Sequence, residues 1–144
     1  MLYALMVMSP EGFPDFTRSD RATLDLRFMG PRSRHQVRRG RRVLVYEQRH
    51  SAWIGVLDIL DVSAQLRNDA SMRLSVMKQA WMPPDRGVSM RDPYYPLGLT
   101  RKPRAERGRV PFPPYFRKGP PVLAEFPAHA GAFLHSVLVG RGVD

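Results

Sequence analysis

Six arginines fall within eleven residues, Arg32-Ser33-Arg34-His35-Gln36-Val37-Arg38-Arg39-Gly40-Arg41-Arg42. Guanidinium groups at this density suit bidentate contact with phosphates and stacking on bases. Each phosphate neutralised releases counterions, so binding through such a segment falls steeply with salt. Arg32, Arg34, Arg38, Arg39, Arg41 and Arg42 are therefore candidate phosphate ligands; a solvated loop is the plain alternative. A second group is aromatic: Tyr46, Trp53, Trp81, Tyr94, Tyr95, Tyr115 and Phe116. An aromatic face can stack on an unstacked base, contributing about 1–3 kcal/mol per base. Trp53 opens the second strand of an expected hairpin, which suits a pocket. For Tyr46 and Trp81, core packing and pocket lining are both open. Base pockets also need polar groups that read the base edge, and Ser9, Arg34, His35 and Ser51 stand near strand ends.

Other chemistries find little support. The chain has no cysteine, which removes disulfides, thiolate metal sites and a thiol nucleophile. His35, His50, His129 and His135 are scattered, and the last two, six apart, do not share a helical face. No phosphate-loop or GxGxxG pattern occurs, and no GxSxG elbow. Asp58 and Asp61 are three apart within an expected strand, so alternation sends them to opposite faces. They read as polar residues at a bulge or strand exit. The expectation is a non-catalytic protein without metal or cofactor.

Composition agrees with a polyanionic partner. The net charge is +10, and 20 of the 23 basic residues are arginine. Such a surplus suggests nucleic acid, although arginine-rich codon usage gives the same composition. The 144 residues, 43% of them apolar, suffice for one domain over 1–144. No apolar run approaches the length of a membrane-spanning helix, and Met1 to Met8 reads as a strand rather than a signal peptide. The expected location is the cytoplasm, with no membrane partner.

These residues need elements to position them. Leu2 to Met8 is an apolar run closed by the turn signal Ser9-Pro10-Glu11-Gly12. Ser19 to Leu24 can start a short helix capped by Ser19. Val43 to Tyr46 and Trp53 to Val62 read as two strands joined by a polar bend, with Gly55 at a bulge or tight packing point. On the second strand Ile54, Val56, Leu60 and Val62 share one face; Trp53, Leu57 and Ile59 share the other. Met72 to Val76 alternates and extends to Trp81. Residues 82 to 121 hold ten of the 14 prolines and read as a long basic loop. Val122 to Phe126 is a last strand. Pro127 to Leu138 is a closing helix, with Ala130, Phe133, Leu134, Val137 and Leu138 at helical spacing.

In this order the features resemble the EVE domain, a member of the PUA-like superfamily. Such domains open with a strand and a Ser-Pro turn, as in "YALMVMSPEGF". A basic segment then leads into a strand of the form GD.v.FY, here "VRRGRRVLVYE", with Arg41 in place of the frequent acidic residue. A GI.EV strand is matched by "WIGVLDILDVS", and an aromatic FR.G segment, strand and helix by "PYFRKGPPVLAEFPAHAGAFLH". The resemblance covers residues 1–64 and 112–138. It implies an α+β fold: a PUA-like mixed β-barrel of about five to six strands flanked by short helices. It also implies a binding module for DNA or RNA that reads a modified base, such as methylated cytosine, flipped into an aromatic pocket. By position, Ser9, Tyr46 and Trp53 would border that pocket, with Phe116 and Arg117 nearby; Phe116 and the strand-end Ser51 complete the candidate pocket, and Arg117 joins the basic segment as a candidate phosphate ligand. General RNA binding, or a structural or interaction subunit using the arginine-rich surface, is the alternative. An enzyme on nucleic acid would need an acid or histidine cluster that the sequence does not assemble.

Overall fold

A computed structural model describes residues 3–8, 10–27, 39–64, 71–89, 122–126 and 128–141. Its strands are β1 (Tyr3–Met8), β2 (Arg21–Arg27), β3 (Arg42–Glu47), β4 (Ala52–Ala64), β5 (Ser71–Trp81), β6 (Val88–Ser89) and β7 (Val122–Phe126). One helix follows, α1 (Ala128–Arg141). The strands form one mixed sheet in the order β2-β5-β4-β3-β1-β7, with β6 added beside β4. Only β1 and β3 run parallel; the other pairs are antiparallel. Among the described residues β2 and β7 end the sheet, which does not close into a barrel. The architecture is α+β.

The two faces are covered differently. Cross-strand register sets Tyr3, Arg42, Asp58 and Met77 in one row. That face carries α1: Gly131 lies against the Tyr3 ring, and Leu134 and Leu138 are fully buried. A side chain at position 131 would collide with Tyr3, so glycine lets the helix approach the sheet closely. The opposite face carries Trp81, which meets the edges of Phe13 and Phe16 from the segment after β1. Lys78 extends over the Phe16 ring there. Gly55 pairs with Trp81, and a Cβ at 55 would lie 2.6 Å from that ring. The expected tight packing point at Gly55 is therefore a seat for an indole.

Three expectations change. Ser19 to Leu24 does not form a helix. Arg21, Thr23 and Asp25 alternate with Ala22 and Leu24, and the segment pairs along β5 as a strand. Ser19 Oγ accepts from the Arg21 amide at 3.1 Å, a local turn that leads into this strand. Residues 82–89 are not loop. Met82 donates to the Ile54 carbonyl at 3.0 Å, and a 3-10 turn over Pro84–Arg86 leads into β6. There β6 takes up the line of β5 along β4, opposite Ala52 and Trp53. The proline pair makes a step in a strand, not its end. Finally, register shifts at Ile54 and Leu60 interrupt the alternation of β4. Trp53 consequently shares a face with Val56 and Asp58, and Leu57 and Ile59 share the other with Val62.

Candidate nucleic-acid interface

The β3–β4 turn was expected to frame a base pocket, and its rings are sealed. Tyr46 and Trp53 are both 0% exposed. They face each other across the hairpin, ring centroids 5.2 Å apart, in an edge-on contact. This is core packing of two aromatic side chains. Neither ring presents a face to a base here, which corrects the pocket assignment for both. The reason lies outside the hairpin: β1 and β6 flank it, and the helix covers its face.

Ser51 is half-buried and holds a left-handed backbone, φ 51°. The turn around it is organised by Glu47, a fully buried carboxylate. Glu47 accepts from the Arg49 amide at 2.8 Å, the His50 amide at 2.9 Å and His50 Nδ1 at 2.7 Å. A buried charge is tolerable only with such donors. Arg49 reaches across to Glu11, and the Gln48 amide bonds the Met8 carbonyl, so the turn is tied to the end of β1. The sequence reading missed Glu47. Its signal was a carboxylate closing a strand, with amides two and three residues on.

The basic segment enters the described structure at Arg39, which is exposed. Gly40 turns the chain at φ +82°, a left-handed conformation that glycine adopts without a Cβ clash. Its amide donates to the Ile59 carbonyl at 2.7 Å, and the Ile59 amide donates to Arg41 at 2.9 Å. Arg39 and Arg41 are thereby fixed beside the β4 bulge. Arg42 has a different role. Its Nε donates to Asp58 at 3.0 Å and its Nη1 to His135 Nδ1 at 3.3 Å. Tyr3 lies 3.2 Å from the same nitrogen, and Gln79 donates to the other Asp58 oxygen at 2.5 Å. Asp58 raises the Arg42 pKa, chiefly through their hydrogen bond. Since guanidinium only donates, Nδ1 of His135 is an acceptor and the ring is neutral. Burial, then the Arg42 charge, lowers the His135 pKa accordingly. Arg42 thus serves to pin the helix to the sheet, and its half-buried position removes it from the surface set.

Asp58 and Asp61 share a face, contrary to strict alternation, because the bulge at Leu60 resets the strand. Asp58 is engaged by Arg42 and Gln79, while Asp61 is exposed and accepts from the Val62 amide at 2.9 Å. Ser9, Phe116, Arg32, Arg34, Arg38 and Arg117 lie outside the described residues. Among the described residues no group of three or more His, Cys, Asp or Glu side chains can hold a metal, and no helix is long and apolar enough to cross a membrane. No protein-family model, curated protein or solved structure matches the chain.

Proposed function

We propose that the chain is a non-catalytic nucleic-acid-binding module that works through its arginine-rich surface. One observation carries the reading: the net charge is +10, and five of the 13 acidic side chains are already engaged by partners within the chain. Asp58 is held by Arg42, Asp25 by Arg73, Glu11 by Arg49, Asp20 by Lys78, and Glu47 by the hairpin turn. Arg39, just before the Gly40 turn, is exposed beside the β4 bulge, where a guanidinium can meet a phosphate backbone. Kinship with the EVE domain and its PUA-like barrel belongs to the same proposal. The basic strand entry, the β3–β4 hairpin and the terminal strand and helix support it; closure would need the β2 and β7 edges to be bridged. Modified-base reading by Tyr46 and Trp53 is not part of it, because both rings are buried.

The test is DNA and RNA oligonucleotide binding across a salt series. Replacing Arg38 and Arg39 by Gln should weaken binding to every sequence and lower the slope of log K against log salt by roughly 1–2. Replacing Arg42 should leave that slope unchanged. An equal slope for the double variant and the parent protein would refute contact between this segment and phosphate.

A further inference from the structure

The helix leaves part of its face of the sheet uncovered: α1 packs on β1, β3, β4 and β5, and an open depression lies toward β2. It has a volume of about 400 Å³ and is lined by Arg21, Ala22, Thr23, Leu60, Asp61 and Ser75. We propose that this depression binds one nucleotide unit, with Arg21 on the phosphate, Thr23 and Ser75 on the sugar, and Asp61 on the amino group of the base. The assignment deepens the nucleic-acid reading above and rests on it for the class of partner.

Register builds the floor. Thr23 lies opposite Ser75, and Ser75 opposite Asp61, so two hydroxyls and a carboxylate cross three strands in one row. Such neighbours stand about 5 Å apart, close enough to converge on one small ligand. Among the described residues neither hydroxyl makes a side-chain hydrogen bond, and Arg21 makes no ion pair. The next row differs: Arg73 is neutralised by Asp25 at 3.0 Å. Short side chains in the row make the hollow. Leu60, the extra residue of the bulge, lines the hollow and supplies an apolar surface, and bulges often lie beside sites. The Gly40 turn bonds the Ile59 backbone, the residue before Leu60, and so ties the strand at that side of the hollow.

The carboxylate is the informative residue. In a site for phosphate alone Asp61 would be a liability, since like charges repel. A carboxylate accepts hydrogen bonds and cannot donate them. Its place beside an arginine and two hydroxyls therefore fits a ligand with an anionic end, hydroxyls and an N–H donor. A nucleotide with an amino-bearing base meets that description, and the volume lies within the usual range for small-ligand sites.

Cytidine and uridine monophosphates make a sharp pair of probes, because they share phosphate and ribose and differ at the 4-amino edge. Each is titrated into the isotope-labelled chain, and amide shifts are followed at residues 21–25, 60–62 and 74–76. Cytidine monophosphate should bind about tenfold more tightly than uridine monophosphate. Asp61→Asn should remove that preference. Thr23→Val and Arg21→Gln should weaken both nucleotides alike; circular dichroism confirms that each variant folds. Silence of these amides with either nucleotide would overturn the site, as would equal affinities that Asp61→Asn leaves equal. Inorganic phosphate producing the same shifts as the nucleotides would also overturn it. Oligonucleotide binding in a protein whose depression stays silent sinks the site and keeps the broader reading. Cytidine-selective binding in a chain that ignores oligonucleotides keeps the site and sinks the broader reading.

Discussion

The two ends of the β3–β4 hairpin both carry charged residues and use them in opposite ways. At the turn, Tyr46, Trp53 and the Glu47 carboxylate are completely buried, the two rings edge-on to each other and the carboxylate on the Arg49 and His50 amides. At the entry, Arg39 and Asp61 are exposed around a bulge, with Thr23 and Ser75 nearby on the floor of an open hollow. A charged side chain at a hairpin end is therefore no guide to a site by itself. What separates the two ends is cover. The turn is flanked by β1 and β6 and lies under the helix side of the sheet; the hollow lies past the helix, toward the β2 edge.

If this contrast holds, damage at the turn should appear as lost stability and damage at the entry as lost binding. The largest effect belongs to Trp53→Ala. Removing a fully buried indole should cost about 4 kcal/mol in a denaturant titration. A variant of unchanged stability that no longer binds a base would reverse the comparison and restore Trp53 to a pocket. Glu47→Ala comes next, at about 3 kcal/mol, because two amides and an imidazole lose their acceptor. A loss well under 1 kcal/mol would mean that water replaces the carboxylate and that the turn is open.

The smallest effect sharpens the middle of the comparison, where Arg42 and Tyr3 hold His135. The native state lowers the His135 pKa, so the unfolded chain binds the proton more readily. Stability from this contact is present above the ordinary value of 6.5 and declines as pH falls below it. The melting temperature should fall with pH through that window, and His135→Gln should flatten the decline. His50 remains in both proteins, so the difference between the two curves isolates His135. Coincident curves would show that the ring is not held neutral by Arg42.

Much of the fold was legible because it depends on local pattern. β-branched and aromatic runs marked β3 and β4, alternation marked β5, and proline followed by helical spacing marked α1. The segment at Ser19 was misread because a serine followed by mixed residues looks like a cap. Its true state depends on pairing with β5, some fifty residues away. The site was less legible for the same reason. Arg42 looked like its arginine neighbours until Asp58 and His135 were brought to it. Asp58 and Asp61 looked opposed until a bulge turned them to one side.

By itself the sequence determines the charge, the arginine bias, the strand-rich order and the closing helix, since these follow from composition and from periods of 2 and 3.6 residues. Tertiary structure alone decides which aromatic rings are sealed, which arginine is paired and which short side chains leave a hollow. Burial and pairing are set by neighbours distant in the chain, and each bulge shifts every later side chain to the other face.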